Sequence, residues 1–291
     1  MSVHKNTYRA YTGPVTSLWM RVIVLARYGF AEAWSSKITV TLFTLSLLPF
    51  LVFLVGIYLA NNPVAQLLIL KNSRQMLAVD ARFFLGVLQV QSWIALIVTA
   101  WVAPRLISFD LADNALPILL SHPISRFGYL FGKFIAIFGS LSAVTWVPCL
   151  LLFVYQCYSS PQPWAVANLP IAAGMFVGAI IWIAFLSILG LALSSWVKWR
   201  VVATGVIFAA VLVPAGVGAI VSAVLRTQWG LLLNIPVTMS VLWQRLLGAP
   251  ESMRSASSLP TPAIVATLVL ACLLCLAMLN ARIRAREVVR G

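Results

Sequence analysis

Six apolar runs, separated by shorter polar stretches, dominate this sequence and restrict what it can fold into. The runs cover residues 38–60, 84–103, 134–158, 171–196, 201–225 and 262–281. Each has about the 20 residues that an α-helix needs to cross a hydrocarbon core about 30 Å thick. Because a spanning segment must satisfy its own backbone hydrogen bonds, each run is expected to be helical. The sequence therefore predicts an all-α integral membrane protein with six transmembrane helices.

Composition supports this fold class. The chain has 291 residues, of which 62% are hydrophobic and 9% charged, whereas soluble domains are roughly 45–50% apolar. The predicted transmembrane domain, residues 38–281, leaves no room for a soluble catalytic domain. The four cysteines lie in or beside the apolar runs, where Cys behaves as a small apolar residue. Neither a disulfide framework nor a metal site is expected, and the CxxC of Cys272 and Cys275 is interpreted in the same way.

The N-terminal region, residues 1–37, contains an amphipathic pattern. Apolar residues recur at three- and four-residue steps over residues 15–36, and polar residues gather on the opposite face. This pattern favours a helix lying at the membrane interface over a helix packed on a soluble core, since no such core is available. The residues singled out in this helix are Trp19, Arg21, Arg27 and Phe30.

Prolines predict irregularities in three of the spans. Pro49 is expected to bend the first span, and Pro104 is expected to end the second. Pro214, with glycines after it, predicts a bend or break in the fifth span. Gly174 and Gly178 in the fourth span have the GxxxG spacing that allows close helix contact.

Residues 226–261 leave two interpretations open. The apolar run over residues 230–248 resembles a seventh span, but Asn234, Pro236, Gln244 and Arg245 interrupt it. A full crossing would place the basic tail, residues 282–291, outside the cell. A pair of short helices that enter the membrane only partway or lie on its outer surface keeps that tail inside, and we expect this arrangement.

The basic residues predict the orientation. With a cytoplasmic N-terminus, 14 of the 20 Lys and Arg lie in cytoplasmic segments and six lie outside, as the positive-inside rule requires. We therefore expect a multi-pass protein of the inner (cytoplasmic) membrane with both termini cytoplasmic. The formal charge of +14 is then explained by the lipid bilayer as partner, because anionic headgroups attract the basic residues beside the spans. Nucleic acid is not expected to bind, because no basic patch with interleaved aromatics lies outside the spans.

Few residues could carry chemistry inside the membrane. His4 and His122 are the only histidines, and neither has a partner at metal-ligand spacing. The six apolar runs contain no Asp or Glu, which an ion-coupled carrier would usually place at membrane depth. The sequence predicts a transport subunit and not an enzyme. A secondary carrier or channel that is not driven by ATP remains the alternative.

The polar segment 104–133 is the candidate docking site for a partner that supplies energy. Two of the six acidic residues lie here among three basic ones. Asp110 and Asp113 are expected near the start of a short helix with an apolar face, which Pro123 would end. An ordinary solvated loop with a surface helix is the other interpretation. The proposed contact residues are Asp110, Asp113, Leu116, Leu119, Leu120, Pro123, Arg126 and Lys133.

This segment resembles the one between spans two and three in permease subunits of ABC transporters of the type-2 exporter class. Those permeases carry an acidic pair, a leucine-rich turn, the pattern Pro, small apolar, Ser or Thr, Arg, and then Gly-Lys. Here the pattern reads Asp110 and Asp113, residues 116–120, Pro123 to Arg126, and Gly132–Lys133. Asn114 and Ala115 stand where many members have Gly-Thr.

The resemblance implies a function and an assembly. Segment 104–133 would be a coupling helix docked on a cytoplasmic ABC ATPase, and two permease subunits, identical or different, would pair with two ATPase subunits. It also implies an N-terminal interfacial helix and short external helices between spans five and six. The chain has no GxxxxGK[ST] phosphate loop. ATP and Mg would therefore be bound by the partner, with no cofactor on this chain.

Overall fold

The computed structural model describes residues 17–64, 78–112, 126–160, 164–197, 199–250 and 259–285. These ranges are almost entirely helical, and they contain no strand. Six helical segments among them are long and apolar enough to cross a membrane, which confirms the predicted all-α membrane fold. We call them spans 1 to 6: Lys37–Asn61, Ala81–Ile107, Phe127–Ser159, Leu169–Trp196, Arg200–Val224 and Thr261–Arg282.

Several helices extend beyond these spans or interrupt them. The helix of span 2 runs Ala81–Ala112, and that of span 6 runs Thr261–Ala285. Span 3 consists of two helices, Arg126–Val144 and Trp146–Ser159, which we call its near and far arms. Outside the spans lie the N-terminal helix Leu18–Trp34, a turn of helix at Trp164–Ala167, a 3₁₀ helix at Trp229–Leu233 and a helix at Ile235–Leu247.

The two ends of the bundle differ in charge. We call the end where spans 1, 3 and 5 begin the basic end, because Lys37, Arg105, Lys133, Arg200 and Arg282 lie there. The N-terminal helix precedes span 1 at this end. The other end, where the Ile235–Leu247 helix lies between spans 5 and 6, is called the opposite end.

Pro104 does not have the effect on span 2 that the sequence predicts. Pro104 lies inside the helix of span 2, so the prediction that span 2 ends there is wrong. A proline leaves the carbonyl four residues earlier without its helical donor. That carbonyl, on Ala100, accepts a hydrogen bond from the Thr204 hydroxyl of span 5 at 2.8 Å, which compensates for the loss.

Span 5 also continues through its proline, whereas span 3 is interrupted where no bend was predicted. Pro214 lies inside a continuous helix, so a break there is ruled out, whereas a bend at Pro214 stays a prediction; Pro49 likewise lies inside the helix of span 1, where the bend stays a prediction. Span 3 is interrupted at Thr145, whose φ and ψ are −103° and −90°. The ring of Pro148 accounts for this, since it would clash with the Val144 carbonyl four residues earlier.

Spans 2 and 4 pack closely at the centre of the bundle. A Cβ built on Gly190 of span 4 would lie 2.7 Å from the Cβ of Ala103 in span 2, so only glycine fits. The Trp182 indole of span 4 donates a hydrogen bond to the carbonyl of Ser92 at 3.2 Å. Small residues thus bring these helices together, as is usual where lipid offers no hydrophobic drive for association.

The Ile235–Leu247 helix, here called the capping helix, covers the opposite end of span 4. Its 13 residues extend about 20 Å, too short to cross the membrane. Asn234 caps its start by accepting from the Val237 amide at 3.1 Å, and Gly248 ends it in the left-handed region at φ 65°. The described residues therefore contain six spans and the predicted short helices, and this run does not form a seventh span.

The GxxxG pair of span 4 contacts the capping helix and not another span. A Cβ on Gly174 would lie 2.5 Å from the Leu246 carbonyl oxygen, and one on Gly178 would lie 2.5 Å from Cδ1 of Trp243. Arg245 then links the capping helix to span 6 by donating to the Thr261 hydroxyl at 2.7 Å.

Candidate functional site

The structure describes three of the predicted docking residues, Asp110, Arg126 and Lys133, and they lie at the basic end. Asp110 is in the last turn of the span 2 helix and not near the start of a separate short helix, so that part of the prediction is wrong. Negative charge at a helix C-terminus does not complement the helix dipole. Arg126 is the first residue of the near arm of span 3. Asp113, Leu116, Leu119, Leu120 and Pro123 lie outside the described residues.

The N-terminal helix packs along the near arm of span 3. A Cβ on Gly132 would lie 2.9 Å from Cδ2 of Leu25, and one on Gly29 would lie 3.1 Å from Cβ of Ala136. The Trp34 indole donates a hydrogen bond to the Ser140 hydroxyl at 3.2 Å. Because Gly132, Ala136 and Ser140 recur every four residues, they present one small-residue face that accepts the N-terminal helix over two turns.

An ion pair lies beside this contact. The Lys133 Nζ is 3.7 Å from the Glu32 Oε2, which belongs to the N-terminal helix. Lys133 is only 4% exposed, and its Nζ also lies 5.8 Å from the centre of the Tyr129 ring. A buried ammonium is costly unless charge or hydrogen bonds compensate it. Glu32 and Lys133 therefore hold the N-terminal helix at a defined register on span 3.

The described helices that precede and follow residues 113–125 in the chain both make contacts with other helices. On one side this segment follows span 2, where Val102, Ala103 and Leu106 are buried in the core. On the other side it leads into the near arm of span 3, which is fixed to the N-terminal helix through Lys133. The end of span 2 and the start of span 3 are therefore both held by contacts with the rest of the bundle.

The predicted interfacial residues lie on different sides of the N-terminal helix. Trp19 is 70% exposed and Phe30 is 40% exposed, whereas Ala26 and Ala33 are buried. Arg27 is exposed and Arg21 is half-buried. The helix is thus amphipathic as predicted, with small residues against span 3 and large apolar residues on the outer surface. Its location at the membrane interface stays a prediction.

The opposite end contains a cavity of about 210 Å³ between span 2, span 4 and the capping helix. Gln89 of span 2 donates a hydrogen bond across this region to the Ser240 hydroxyl of the capping helix at 2.7 Å. The cavity is smaller than the roughly 300–1,000 Å³ of typical ligand pockets. Its lining consists of Gln89, Ser92, Trp93, Trp182, Pro236, Val237, Ser240 and Trp243.

The described part of the chain has no group of three or more His, Cys, Asp or Glu that could hold a metal ion. The four cysteines are free thiols. Cys149 and Cys275 are buried, and Cys157 and Cys272 are partly buried. Their location within spans agrees with the interpretation as small apolar residues.

Sequence reasoning missed the partner of Lys133 and the role of Gly132. Glu32 is one of the polar residues of the N-terminal helix, and it is the only acidic residue before Asp80. That rarity is the signal that could have identified it, because a lone acid in an apolar chain needs a specific counter-charge.

A comparison with models of protein families finds no match, and a search of curated proteins finds none either.

Proposed function

We propose that this chain is the membrane-spanning subunit of an ATP-driven ABC transporter of the type-2 exporter class. It is moved by a separate cytoplasmic ABC ATPase that binds ATP and Mg and docks on the segment 104–133. Two such permease subunits, identical or different, pair in the inner (cytoplasmic) membrane with both termini cytoplasmic. The chain itself has no enzymatic role in this assembly.

The observation that carries this proposal is the anchoring of the near arm of span 3. Lys133 belongs to the Gly-Lys pair of the docking pattern, and it is buried and paired with Glu32 of the N-terminal helix at 3.7 Å. A partner that pushes on segment 113–125 would therefore move several helices as one body. A surface loop without such anchoring would change its own conformation and would not pass the movement on to the helices.

The charge distribution supports an external energy source. No Asp or Glu occurs in the six apolar runs, and the described charges lie toward the ends of the spans. Ion-coupled carriers usually place acidic or basic residues at membrane depth. If ATP bound to a partner supplies the energy, no charged residue is required at membrane depth in the spans.

The proposal is tested by co-purification of the chain with a cytoplasmic ABC ATPase from the cells that express it. Charge reversal at Asp110, Asp113 or Arg126 is expected to lower the amount of ATPase that co-purifies by about tenfold. Loss of one charge-assisted contact costs about 1.5–3 kcal/mol, which corresponds to that factor or more. ATPase activity of the reconstituted complex should fall in parallel.

The matched control is Arg82→Glu, because Arg82 is exposed and lies at the opposite end. Its complex should be unaffected. A stable complex that tolerates reversal at Asp110, Asp113 and Arg126 would remove the docking role from this segment. If no ATPase binds the chain at all, a secondary carrier or channel becomes the better explanation.

Orientation is tested by cysteine labelling. A single cysteine at Ser258, placed in a cysteine-free background, should react with a membrane-impermeant maleimide from outside the cell. A cysteine at Arg286 should react only after the cytoplasmic side is opened. The reverse pattern would place segment 104–133 outside, where no ATP-binding partner could reach it.

A further inference from the structure

Three side chains form a cluster between the basic ends of spans 2 and 5. Trp101 and Arg105 are one helical turn apart on span 2, and Arg200 is the first residue of span 5. The Cζ atom of Arg200 lies 4.1 Å from the centre of the Trp101 ring, which is cation–π contact. We call these three residues the arginine cluster.

The helices on either side of the cluster are fixed to each other. Thr204, one turn beyond Arg200 on span 5, donates its hydroxyl to the Ala100 carbonyl of span 2 at 2.8 Å. Because this bond also satisfies the carbonyl left free by Pro104, it holds the two helices close together next to the cluster. The cluster is therefore a built site and not a chance meeting of two long side chains.

Three hydrogen-bond donors in the cluster have no acceptor. Trp101 Nε1, Arg105 Nε and Arg200 Nη2 are buried atoms without a hydrogen-bond partner among the described residues. Native proteins pair the great majority of their buried polar groups, because an unpaired one is costly. Within the residues that the structure describes, three unpaired donors in one place favour a site that an external acceptor completes.

The charges indicate what kind of acceptor fits. Arg105 and Arg200 are close enough to repel each other. Glu32, the acid at this end whose side chain is described, pairs with Lys133. Arg282 of span 6 adds a further positive charge at the same end of the bundle, where its Nε donates to the Ser195 carbonyl at 3.3 Å. Among the described side chains, the cluster thus has positive charge without an acidic partner, which an anion with several acceptor atoms would supply.

We propose that the arginine cluster binds a phosphate group. A phosphate offers oxygens for all three donors, and the planar guanidinium fork matches its geometry. The Trp101 ring behind Arg200 holds that guanidinium in place before binding. This inference does not depend on the proposed transport function.

Two sources could supply the phosphate, namely the headgroup of an anionic phospholipid or free phosphate. The cluster lies near the ends of spans 2 and 5, where lipid headgroups are expected. Trp199, next to Arg200, is 76% exposed, as is common for aromatic residues at membrane interfaces. Basic pockets between spans also bind anionic headgroups in other membrane proteins.

The test uses the full chain, purified in detergent and freed of bound lipid. It is titrated in separate arms with phosphatidylglycerol, with phosphatidylcholine and with inorganic phosphate. Native mass spectrometry measures lipid binding, and thermal unfolding measures stabilisation by phosphate. We expect phosphatidylglycerol to bind more tightly than phosphatidylcholine, and Arg105→Gln or Arg200→Gln to weaken that binding by about fivefold each.

The matched control is Arg82→Gln, because Arg82 is an exposed arginine at the opposite end. It should bind phosphatidylglycerol as the unaltered chain does. If only the inorganic phosphate arm depends on Arg105 and Arg200, free phosphate is the ligand and the phosphate site stands. If neither arm distinguishes these variants from Arg82→Gln, the proposal is wrong.

Lysine variants cover the case in which the glutamine variants do not fold. Arg105→Lys and Arg200→Lys keep the charge but lose the planar fork, so they should fold and bind phosphatidylglycerol about two- to threefold more weakly. Binding equal to that of the unaltered chain in every arm would show that the guanidinium geometry is not used and would overturn the proposal.

Discussion

Spans 2 and 4 differ from spans 1 and 5 in how much of their surface is buried. In the most apolar stretch of each helix, 61% of the residues of spans 2 and 4 are buried, compared with 11% in span 1 and 17% in span 5. All four helices are apolar enough to cross a membrane. Hydropathy therefore does not separate the helices of the core from those of the periphery.

Contacts between helices do distinguish spans 2 and 4. Gly190 packs against Ala103, the Gln91 amide donates to the Ser46 carbonyl of span 1 at 3.4 Å, and Trp182 donates to the Ser92 carbonyl. In span 1, Thr41 and Thr44 are exposed and donate their hydroxyls to carbonyls of their own helix. Since lipid competes with protein for apolar side chains, close packing and interhelical hydrogen bonds decide which helices form the core.

Gly190→Leu should have the largest effect, because it attacks the contact between spans 2 and 4. A Cβ at this position would already meet Ala103 at 2.7 Å and Cγ2 of Thr99 at 3.0 Å. We expect a loss of about 3 kcal/mol in the free energy of unfolding, measured by denaturation in detergent micelles.

The control for this change is Gly205→Leu in span 5. No heavy atom lies within 4 Å of a Cβ built there, so the free energy of unfolding should change by less than about 0.5 kcal/mol. An equal loss from both substitutions would contradict the division into core and periphery. It would mean that another molecule packs on span 5.

Replacing buried Lys133 should have a smaller effect than the change at Gly190. Lys133→Ala leaves Glu32 without its partner, but the Glu32 side chain is 39% exposed, so water compensates part of the loss. We expect about 1 kcal/mol less stability. Lys37→Ala, at an exposed position at the same end, should cost little.

A double-mutant cycle separates the ion pair from the packing of Lys133. Combining Glu32→Ala with Lys133→Ala should cost less than the sum of the two single changes. A coupling energy of about 0.5–1 kcal/mol would be consistent with a partly buried pair. Strict additivity would show that the two charges do not stabilise each other.

Thr204→Val should have the smallest effect. It removes the hydrogen bond at 2.8 Å between span 5 and the Ala100 carbonyl of span 2. Interhelical hydrogen bonds in membranes contribute about 0.6 kcal/mol on average. Thr41→Val, which removes a bond within span 1 only, is the matched control. If both changes are neutral in thermal unfolding, this bond does not hold span 5 against the core.

The apolar runs predicted the spans well because length and hydropathy are local properties. Predicted ends such as 38–60 and 201–225 differ from Lys37–Asn61 and Arg200–Val224 by one residue at each end. The short helices at Trp229–Leu233 and Ile235–Leu247 were also anticipated, because polar residues interrupt that run.

The errors arose where distant residues decide local structure. Pro104 was expected to end span 2, but Thr204, 100 residues later, compensates the carbonyl that it frees. The consequence of Pro148 for span 3 was missed. The burial of Lys133 and its pairing with Glu32 depend on how the N-terminal helix packs, which periodicity alone does not determine.

The interruption at Thr145 divides span 3 into two helices that could change their angle at this residue. The near arm, 19 residues long, extends about 28 Å, so a rotation of about 10° at Thr145 moves its other end by about 5 Å. The far arm is tied elsewhere, since Asn61 of span 1 donates a hydrogen bond to Gln156 at 2.8 Å. If a partner applies force near Arg126, as proposed, we expect it to act first on the near arm and, through the Lys133–Glu32 pair, on the N-terminal helix.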